Sequence, residues 1–447
     1  MVYIEEKYLR NQPTPVFINE TETILKQMKN NVFQICKKNG DKGTGFFCKI
    51  PLEEKQYLPA FITNYHVIDQ EYLENEKSIS VQINNGKKIN KMSISLKNKF
   101  TYTNKNYDIS IIEIKPNIDN INDYLEFDEN ILNDPTSYVG NSIYVLHYPS
   151  FFAQDKVAVS YGIIKQINEK KKNDFDHYCC TTGGSSGSPI LNLSNNKIIG
   201  VHKSASKDQF NIGLFLNNPL KDFIDKYKRD KYKRLINFFL DDRDYNLFLK
   251  LYDKGFISEA ILIEKEKEYL SSDPRHALKL ILAKKEIPKN WVSAWHGTQS
   301  KFIESIVEYG LKLPGTKIKD IIIKQNKSYI PLKDNVFGIK NWDNAIFASK
   351  NLHYALSYCN YNYTYKYFLL IEVKIKPGSF TEHKSKFIID YYCGHGFNYE
   401  GEDETDIYRI ASDRNVIVTS IVVAPVHTCV MQMKKHKSDE NFIDFID

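Results

Sequence analysis

The residues best suited to chemistry lie in one glycine- and serine-rich stretch, residues 181–190, which reads Thr-Thr-Gly-Gly-Ser-Ser-Gly-Ser-Pro-Ile. A hydroxyl group is a poor nucleophile in neutral water, so acyl transfer needs a base beside it and hydrogen-bond donors aimed at the developing oxyanion. The glycines around Ser186 permit a tight turn whose backbone N–H groups converge on one point. The stretch therefore predicts a nucleophilic serine, and a flexible surface loop is its alternative interpretation.

Two upstream segments supply the residue types that such a serine requires. His66 follows an apolar, strand-like run directly, and Asp108 stands at the start of an alternating strand. Taken singly, such a histidine is usually structural and such an aspartate is usually a turn residue. The order His66, Asp108, Ser186 is nevertheless one of the known chain orders of base, orienting carboxylate and nucleophile. Three partial signals in this order, within one domain's length, favour a catalytic triad.

These candidate residues lie among short β-rich runs separated by Asn, Gly and Lys. The predicted strands are residues 32–36, 45–50, 79–83, 142–146, 157–163 and 197–202. Many short strands with turn residues between them are typical of an all-β barrel or sandwich. The preceding residues, 1–29, are predicted to be an arm with a short helix at 21–29, where Thr21 is the expected N-cap.

Residues 30–226 resemble the trypsin-like (chymotrypsin-fold) serine endopeptidases. Gly-Thr-Gly-Phe-Phe at 43–47 matches the strand that precedes the histidine in that family. The stretch at 181–189, followed by Ile-Gly-Val-His at 199–202, looks most like the staphylococcal-type glutamyl endopeptidases. The resemblance implies an all-β double β-barrel (chymotrypsin-like) at 30–220 that hydrolyses protein or peptide substrates without a metal or an organic cofactor.

The resemblance also implies roles for individual residues. His66 would take the proton of Ser186 while Asp108 holds its tautomer, and the backbone N–H groups of Gly184 and Ser186 would form the oxyanion hole.

A substrate pocket is implied in the same way. Thr181 and His202 match the hydroxyl residue and the histidine that hold the substrate carboxylate in glutamyl endopeptidases, and neither Thr181 nor Thr182 is an acid. Cleavage after acidic residues is therefore expected. The alternative is that His202 is a strand histidine facing solvent or the adjoining barrel.

Composition narrows the class of protein. The chain has 447 residues, which suffices for two or three domains, and its 42% hydrophobic and 26% charged residues are ordinary for a globular protein. A net charge of +6 with scattered basic residues argues against a dedicated nucleic-acid binder. No apolar run approaches the roughly 18–20 residues that cross a bilayer, and the first residues lack a secretory signal's core.

The cysteines indicate the cellular compartment of the protein. Seven cysteines are widely spread, without zinc or disulfide spacing, so reduced thiols and a cytoplasmic location without a membrane partner are expected. Cys179 and Cys180 are predicted to be strand residues, one of them facing inward.

The sequence pattern changes after residue 217, from short β-rich runs to helical spacing. Residues 221–251 show helical spacing, Gly255 breaks it, and a second helix is predicted at 258–270, so we expect a helical linker at 221–290. The charged run at 226–234 could be a nucleic-acid stripe, but acidic residues interrupt it, which favours a solvated helix face.

Residues 291–447 are mixed α/β. The pattern predicts an amphipathic helix at 302–309 ended by Gly310, a helix at 349–358, and strands at 345–348, 368–375 and 415–423.

Residues 291–425 are similar to the ADP-ribosyltransferase fold of the poly(ADP-ribose) polymerase type. The similarity rests on Trp-His-Gly-Thr at 295–298, Ile-Phe-Ala-Ser at 346–349 with Tyr354, and the two last strands. It implies an α+β ADP-ribosyltransferase-like domain in which His296, Gly297 and Tyr354 hold NAD, with Tyr358 as the rival tyrosine. The alternative is that His296 caps a turn and Tyr354 is a core aromatic.

The third motif of that family departs from its pattern. Ile407 stands where the family has a glutamate that assists transfer and chain elongation, while Glu402 and Glu404 come slightly too early and are expected in a loop.

The sequence as a whole predicts a multidomain intracellular serine endopeptidase joined through helices to an NAD-binding or mono-ADP-ribosyltransferase domain. One alternative is a mono-ADP-ribosyltransferase with an accessory protease domain. Another is a scaffold whose C-terminal half binds NAD or ADP-ribose without catalysis.

Overall fold

The computed structural model divides the chain into two compact units, Met1–Lys228 and Arg229–Asp447. The residues that it describes are 12–53, 56–133, 135–150, 156–169, 171–206, 210–263, 277–283, 287–319, 321–323, 335–336, 339–340, 344–350, 355, 359, 367–393, 398–425 and 429–434. Within these ranges, none of the helices combines the length and the apolar composition that a membrane crossing requires.

The first helix, α1 (Ile18–Asn30), starts earlier than predicted. Its N-cap is Phe17, whose backbone N–H donates to the Glu20 carboxylate at 2.9 Å. Thr21 instead lies in the first turn, where its N–H donates to the Phe17 carbonyl. The predicted cap at Thr21 is therefore wrong, because an acidic side chain reaching back satisfies the helix start one turn earlier.

The first half of the N-terminal unit is an eight-stranded sheet in the order β5-β4-β1-β2-β3-β7-β6, with β8 parallel to β2. Its strands are β1 (Val32–Cys36), β2 (Lys42–Glu53), β3 (Gln56–Thr63), β4 (Ser78–Asn84), β5 (Ile89–Ser95), β6 (Thr101–Asn104), β7 (Ile109–Glu113) and β8 (Leu125–Glu126). Two short helices connect them, α2 (Gln70–Asn75) and α3 (Pro116–Asp119).

Alternate residues of this sheet enter two separate cores. Phe46 and Ile62 face the core shared with the second half of the unit, whereas Phe47 and Phe61 face a smaller core on the other side. Because side chains alternate along a strand, near-continuous apolar runs are what a sheet covered on both faces requires.

The second half is a closed six-stranded barrel in the order β10-β11-β14-β13-β12-β9. Its strands are β9 (Ser142–His147), β10 (Ala158–Ile167), β11 (Asp174–His177), β12 (Pro189–Asn192), β13 (Lys197–Ala205) and β14 (Asn211–Phe215). Each of the six strands predicted from sequence in this unit is confirmed, with boundary shifts of a few residues.

One detail departs from the expected double barrel. Only the second half closes, whereas the first sheet ends in β5 and β6, which share no pairing among the described residues. Most residues of β5 are exposed, so this strand has few side chains to bury against another edge. Cys179 and Cys180 also differ from expectation: Cys179 is buried and Cys180 exposed, but both follow the end of β11 instead of lying in a strand.

Helix α4 (Asn217–Phe239) is followed by α5 (Asp242–Asp253). The helix predicted at 258–270 is wrong over 258–263, because β15 (Ile257–Ile263) is a strand that pairs antiparallel with β16 (Ala277–Leu282), and residues 264–270 lie outside the described residues. The helical linker predicted at 221–290 is therefore wrong beyond α5, where these two strands belong to the C-terminal sheet. The ladder with β16 uses the backbone groups that a helix would have used internally, and it overrides the helical spacing.

The C-terminal unit is built on a nine-stranded sheet in the order β15-β16-β26-β23-β17-β22-β25-β24-β27. Its remaining strands are β17 (Val292–Gly297), β18 (Lys317–Ile318), β19 (Ile321–Ile322), β20 (Asn335–Val336), β21 (Ile339–Lys340), β22 (Ile346–Ser349), β23 (Tyr367–Ile375), β24 (Phe380–Cys393), β25 (Asn398–Ile410), β26 (Val416–Pro425) and β27 (Cys429–Lys434), of which β18–β19 and β20–β21 form separate pairs.

Several predictions for this unit are confirmed. Helix α6 (Ile303–Tyr309) ends at Gly310, whose φ of 76° and ψ of 176° form a backbone conformation that glycine adopts readily and other residues rarely do. The predicted strands at 345–348, 368–375 and 415–423 correspond to β22, β23 and β26. Glu402 and Glu404, in contrast, lie in strand β25 and not in a loop. Most of the helix predicted at 349–358 lies outside the described residues.

Candidate active site

His66 and Asp108 are brought together at the end of the first sheet. The Nδ1 atom of His66 lies 2.9 and 3.0 Å from the two carboxylate oxygens of Asp108, and the His66 backbone N–H donates to the same carboxylate at 3.0 Å. Asp108 has a φ of 61°, a left-handed conformation, and its carbonyl accepts from the Asn64 amide at 2.9 Å. The carboxylate thereby holds the proton on Nδ1 and leaves Nε2 as the basic nitrogen.

Ser186 lies in the loop between β11 and β12, as its sequence predicts. Its hydroxyl donates to the carbonyl of Lys203 in β13 at 3.3 Å, which is long for such a bond. No hydrogen bond joins Ser186 to His66 in the described part of the chain. The serine is nevertheless fixed on the sheet side, because the Thr44 N–H donates to its carbonyl at 2.9 Å.

Two glycines give the Ser186 loop its shape. Gly184 and Gly187 have φ values of 88° and 89°, which non-glycine residues rarely adopt. The Gly184 carbonyl accepts from the Thr44 hydroxyl at 2.7 Å, and the Thr44 carbonyl accepts from the Thr63 hydroxyl at 2.8 Å. Thr63 is three residues before His66, so one chain of hydrogen bonds connects the histidine's strand to the serine's loop.

The backbone N–H groups of this loop fall into two sets. Those of Ser185, Gly187 and Ser188 donate to the carbonyls of Thr182, His202 and Ser185, respectively. Those of Gly184 and Ser186 donate to no protein group among the hydrogen bonds of the described residues. These two N–H groups are thus available to an incoming oxygen.

The predicted pocket histidine, His202, is buried in β13 and hydrogen-bonded to a second histidine. His177 Nε2 lies 3.3 Å from His202 Nδ1, and the Cys179 backbone N–H donates to His177 Nδ1 at 3.2 Å. Burial lowers the pKa of His177 to about 3, and burial together with the neighbouring histidines lowers the pKa of His202 well below its usual value. Both rings are therefore neutral.

The Cys179 N–H sets the tautomer of this pair. Because His177 accepts at Nδ1, its one proton resides on Nε2 and is donated to His202 Nδ1. The proton of His202 is then on Nε2, which makes this atom a donor. Thr181 is half-buried in the loop that follows His177.

Sequence reasoning missed His177 and also His147. His147 ends β9 and is buried, with Nδ1 2.7 Å from the Ser185 hydroxyl and Nε2 3.0 Å from the Ser160 hydroxyl. The available signal was a histidine directly after a predicted strand, the same signal that identified His66, but no partner motif accompanied it.

The predicted NAD-binding residues are only partly described. His296 and Gly297 lie in β17, where His296 Nδ1 donates to the Phe347 carbonyl at 2.8 Å, and Ile407 is buried in β25. Burial lowers the pKa of His296, against an opposing effect of that hydrogen bond. His296 is a strand residue, not a turn cap. Tyr354 and Tyr358 lie outside the described residues.

The described residues contain no group of three or more His, Cys, Asp or Glu side chains that could hold a metal ion.

Comparison with known proteins gives the N-terminal unit a family. Residues 43–201 match the family described as the trypsin-like peptidase domain. A glutamyl endopeptidase of Staphylococcus aureus (strain MRSA252) is 31% identical over 142 residues, covering 31% of this chain and 37% of the relative. That of strain MW2 is 30% identical over 142 residues, covering 40% of the relative. The chain thus spans well under half the length of the curated relatives that it matches.

A solved structure, the serine endoprotease from Yersinia pestis, superimposes with a TM-score of 0.34 at 15% identity, covering 47% of this chain and 67% of that one. This superposition is too weak to bear on function. The family match and the two-sheet architecture around the Ser186 loop agree with each other. Residues 43–201 are therefore a trypsin-like peptidase domain.

Proposed function

We propose that the chain is a serine endopeptidase that cleaves proteins or peptides with Ser186, His66 and Asp108. The observation that carries this proposal is the 2.9 Å contact between His66 Nδ1 and the Asp108 carboxylate. His66 follows strand β3, which the hydrogen bonds of Thr63 and Thr44 connect to the Ser186 loop. An imidazole oriented in this way presents Nε2 as a general base. The staphylococcal relatives are endopeptidases by name, which supports hydrolysis of peptide bonds.

The reaction follows from these positions. Ser186 Oγ attacks the scissile carbonyl while His66 Nε2 takes its proton, and the same nitrogen then protonates the leaving amine. Asp108 stays ionised and stabilises the imidazolium. The free N–H groups of Gly184 and Ser186 bind the oxyanion, a contribution typically worth about 3–4 kcal/mol for each donor.

One movement is needed before attack. The Ser186 hydroxyl must leave the Lys203 carbonyl, 3.3 Å away, and rotate about its Cα–Cβ bond toward His66. The long hydrogen bond makes this rotation easy, and hydrogen bonds between catalytic groups commonly tighten only when substrate is bound.

Recognition of an acidic residue before the scissile bond is the finer part of the proposal. His202 Nε2 carries a proton because His177 donates to Nδ1, so it donates a hydrogen bond to a substrate carboxylate without carrying a charge itself. The Thr181 hydroxyl is the second donor. The name of the staphylococcal relatives, glutamyl endopeptidase, supports this specificity.

A peptide-library profile tests activity and specificity together. We expect cleavage after Glu or Asp, and we expect kcat/KM for a Glu substrate to exceed that of its Gln analogue, because a carboxylate is the stronger acceptor. His202→Leu removes that ratio while leaving cleavage after Gln measurable. Absence of any cleavage contradicts the peptidase, whereas cleavage after Lys, Arg or large aromatic residues contradicts only the acidic pocket.

The pH dependence of the Glu-to-Gln ratio isolates the pocket from the base. His202 is neutral because its pKa lies well below the usual value, so the ratio stays flat as the pH falls from 8 through the ordinary histidine range of about 6.5. The Glu-to-Gln ratio declines only when the substrate carboxylate becomes protonated, at about pH 4.3 and within about one pH unit on either side of that value. A change in the ratio centred near pH 6.5 would mean that His202 charges during binding.

A second candidate function, NAD binding by the C-terminal unit, is favoured by one observation. Trp295, next to His296, pairs with Ser349 of β22, and Ser349 pairs with Ile407 of β25. Residues from all three motifs of the resemblance thus fall on neighbouring strands. His296 donates through Nδ1, so its Nε2, which has no hydrogen-bond partner among the described residues, can accept from a ribose hydroxyl.

Calorimetry on the full-length chain tests this candidate. We expect heat of binding with NAD at millimolar concentration and its loss in His296→Leu, with Thr381→Ala on β24, which β22 and β25 separate from β17, as the control that keeps binding. If the parent chain gives no heat of binding with NAD, the resemblance is one of fold only. We further expect no poly(ADP-ribose), because Ile407 cannot accept a proton from an incoming ribose hydroxyl. Polymer ladders on a gel contradict that expectation and make Glu404 the first residue to test.

A further inference from the structure

His147 occupies a buried site directly behind the Ser186 loop. It is the last residue of β9, only 2% exposed, and both of its ring nitrogens are engaged. Nδ1 lies 2.7 Å from the hydroxyl of Ser185, and Nε2 lies 3.0 Å from the hydroxyl of Ser160 in β10. The imidazole therefore bridges the loop to the wall of the closed barrel.

The direction of each hydrogen bond follows from its neighbours. The Thr182 backbone N–H donates to Ser185 Oγ at 3.2 Å, so the Ser185 hydroxyl has its own hydrogen left to donate to His147 Nδ1. A neutral His147 then carries its proton on Nε2 and donates it to Ser160. Burial, which lowers the pKa of His147 to about 4, keeps the ring in this neutral form.

Ser185 is the residue between the two oxyanion donors. Its side chain is fully buried and anchored by His147, its N–H donates to the Thr182 carbonyl at 3.1 Å, and its own carbonyl accepts from Ser188. With Ser185 held on these sides, the two peptide planes that join it to Gly184 and Ser186, the second of which carries the Ser186 N–H, have little freedom to rotate.

We propose that His147 is a positioning residue for the oxyanion hole, acting through Ser185 and braced by Ser160. The proposal rests on the proposed peptidase function and adds to it a residue that contacts neither substrate nor the reacting atoms. An oxyanion hole that is preorganised before substrate binds uses none of the binding energy to order its donors. The Thr44 hydroxyl holds the other side of the loop through the Gly184 carbonyl.

A kinetic series tests the proposal. His147→Leu removes both hydrogen bonds, and we expect kcat to fall about 10- to 100-fold while KM changes less than about twofold, because misplaced donors weaken binding of the transition state and not of the substrate. His147→Asn, whose amide oxygen replaces Nδ1 as the acceptor for Ser185, recovers most of kcat. Ser185→Ala lowers kcat to a similar degree, and the double variant is little worse than either single one.

The control is Gln82→Met, which breaks a buried pair with Gln34 at 2.6 Å in the first sheet. We expect this variant to be less stable but to keep its kcat. A fall in kcat in Gln82→Met would show that general destabilisation is enough to lower kcat. Equal losses in Gln82→Met and His147→Leu, or additive losses in the His147 and Ser185 double variant, overturn the proposal. If His147→Leu does not fold, Ser185→Ala and Ser160→Ala supply the same comparison.

Amide hydrogen exchange separates this proposal from the peptidase function. The bonded N–H groups of Ser185 and Ser188 are expected to exchange at least tenfold faster in His147→Leu than in the parent, and at the parent's rate in Gln82→Met. A parent chain that hydrolyses nothing refutes the peptidase, and exchange still decides the role of His147. Unchanged exchange in His147→Leu refutes the role of His147, even in an active peptidase.

Discussion

Ser186→Ala is expected to abolish peptide hydrolysis, with a fall in kcat of about 10⁶-fold, and to leave the fold intact. The Ser186 side chain makes one long hydrogen bond, at 3.3 Å to the Lys203 carbonyl, so its loss costs little stability. His66→Ala is expected to be about as damaging, because without a base the hydroxyl remains a poor nucleophile. The variant lacking both side chains should be little worse, since the members of a triad act as a unit.

A fluorophosphonate probe measures the same event without a chosen substrate. The parent chain should be labelled covalently, and Ser186→Ala should not be labelled. Ser194→Ala is the matched control, because Ser194 lies in the next turn, where its hydroxyl bonds to Asn192 and to no catalytic group. Undiminished hydrolysis or labelling of Ser186→Ala rules out this serine as the nucleophile.

The parts of this site that depend on motifs could be predicted from sequence. His66, Asp108 and Ser186 were each recognisable because glycine-flanked serines, histidines after strands and their chain order carry information within short windows. The structure brings His66 and Asp108 within 2.9 Å and adds the left-handed backbone of Asp108, which the sequence did not reveal.

The supporting residues could not be predicted, because they depend on which strands become neighbours. His177 reaches His202 only through the pairing of β11 and β13 with β14, and His147 reaches Ser160 only through the pairing of β9 and β10. Which strands become neighbours depends on contacts between residues far apart in the chain, which a local pattern does not encode. A lone histidine in an apolar run remains ambiguous until its partner is known.

The same reason explains the error at residues 258–263. Helical spacing of apolar residues predicted a helix, but the segment from Ile257 meets β16, which lies more than ten residues further along the chain, and becomes the outer strand of a sheet. Residues of high β propensity, such as Ile257 and Ile263, supplied a contrary signal that a spacing argument ignores. Glu402 and Glu404 were misplaced in a loop because their polarity concealed strand β25.

Gly187→Ala is expected to disrupt the unit more severely than any other single methyl addition near the site. Gly187 has a φ of 89°, and a Cβ atom there would lie 2.1 Å from the Thr44 carbonyl oxygen and 2.3 Å from the Thr63 hydroxyl. Both neighbours are buried and hydrogen-bonded to each other at 2.8 Å, so neither can retreat cheaply. Backbone strain and overpacking together should lower the free energy of unfolding by about 3 kcal/mol or more.

The matched control for Gly187→Ala is Gly40→Ala. Gly40 has the same φ of 89°, but a Cβ atom there would meet nothing within 4 Å, so this variant pays only the backbone strain, about 1–2 kcal/mol. Hydrogen exchange of the β2 and β3 amides reports the unfolding free energy of this unit, and we expect exchange about 100-fold faster in Gly187→Ala, since each 1.4 kcal/mol is about tenfold. Because Gly187 adjoins Ser186, kcat should fall in that variant and stay unchanged in Gly40→Ala. Equal exchange rates and equal kcat values in the two variants would show that the Ser186 loop does not pack against Thr44 and Thr63 as closely as the catalytic arrangement requires.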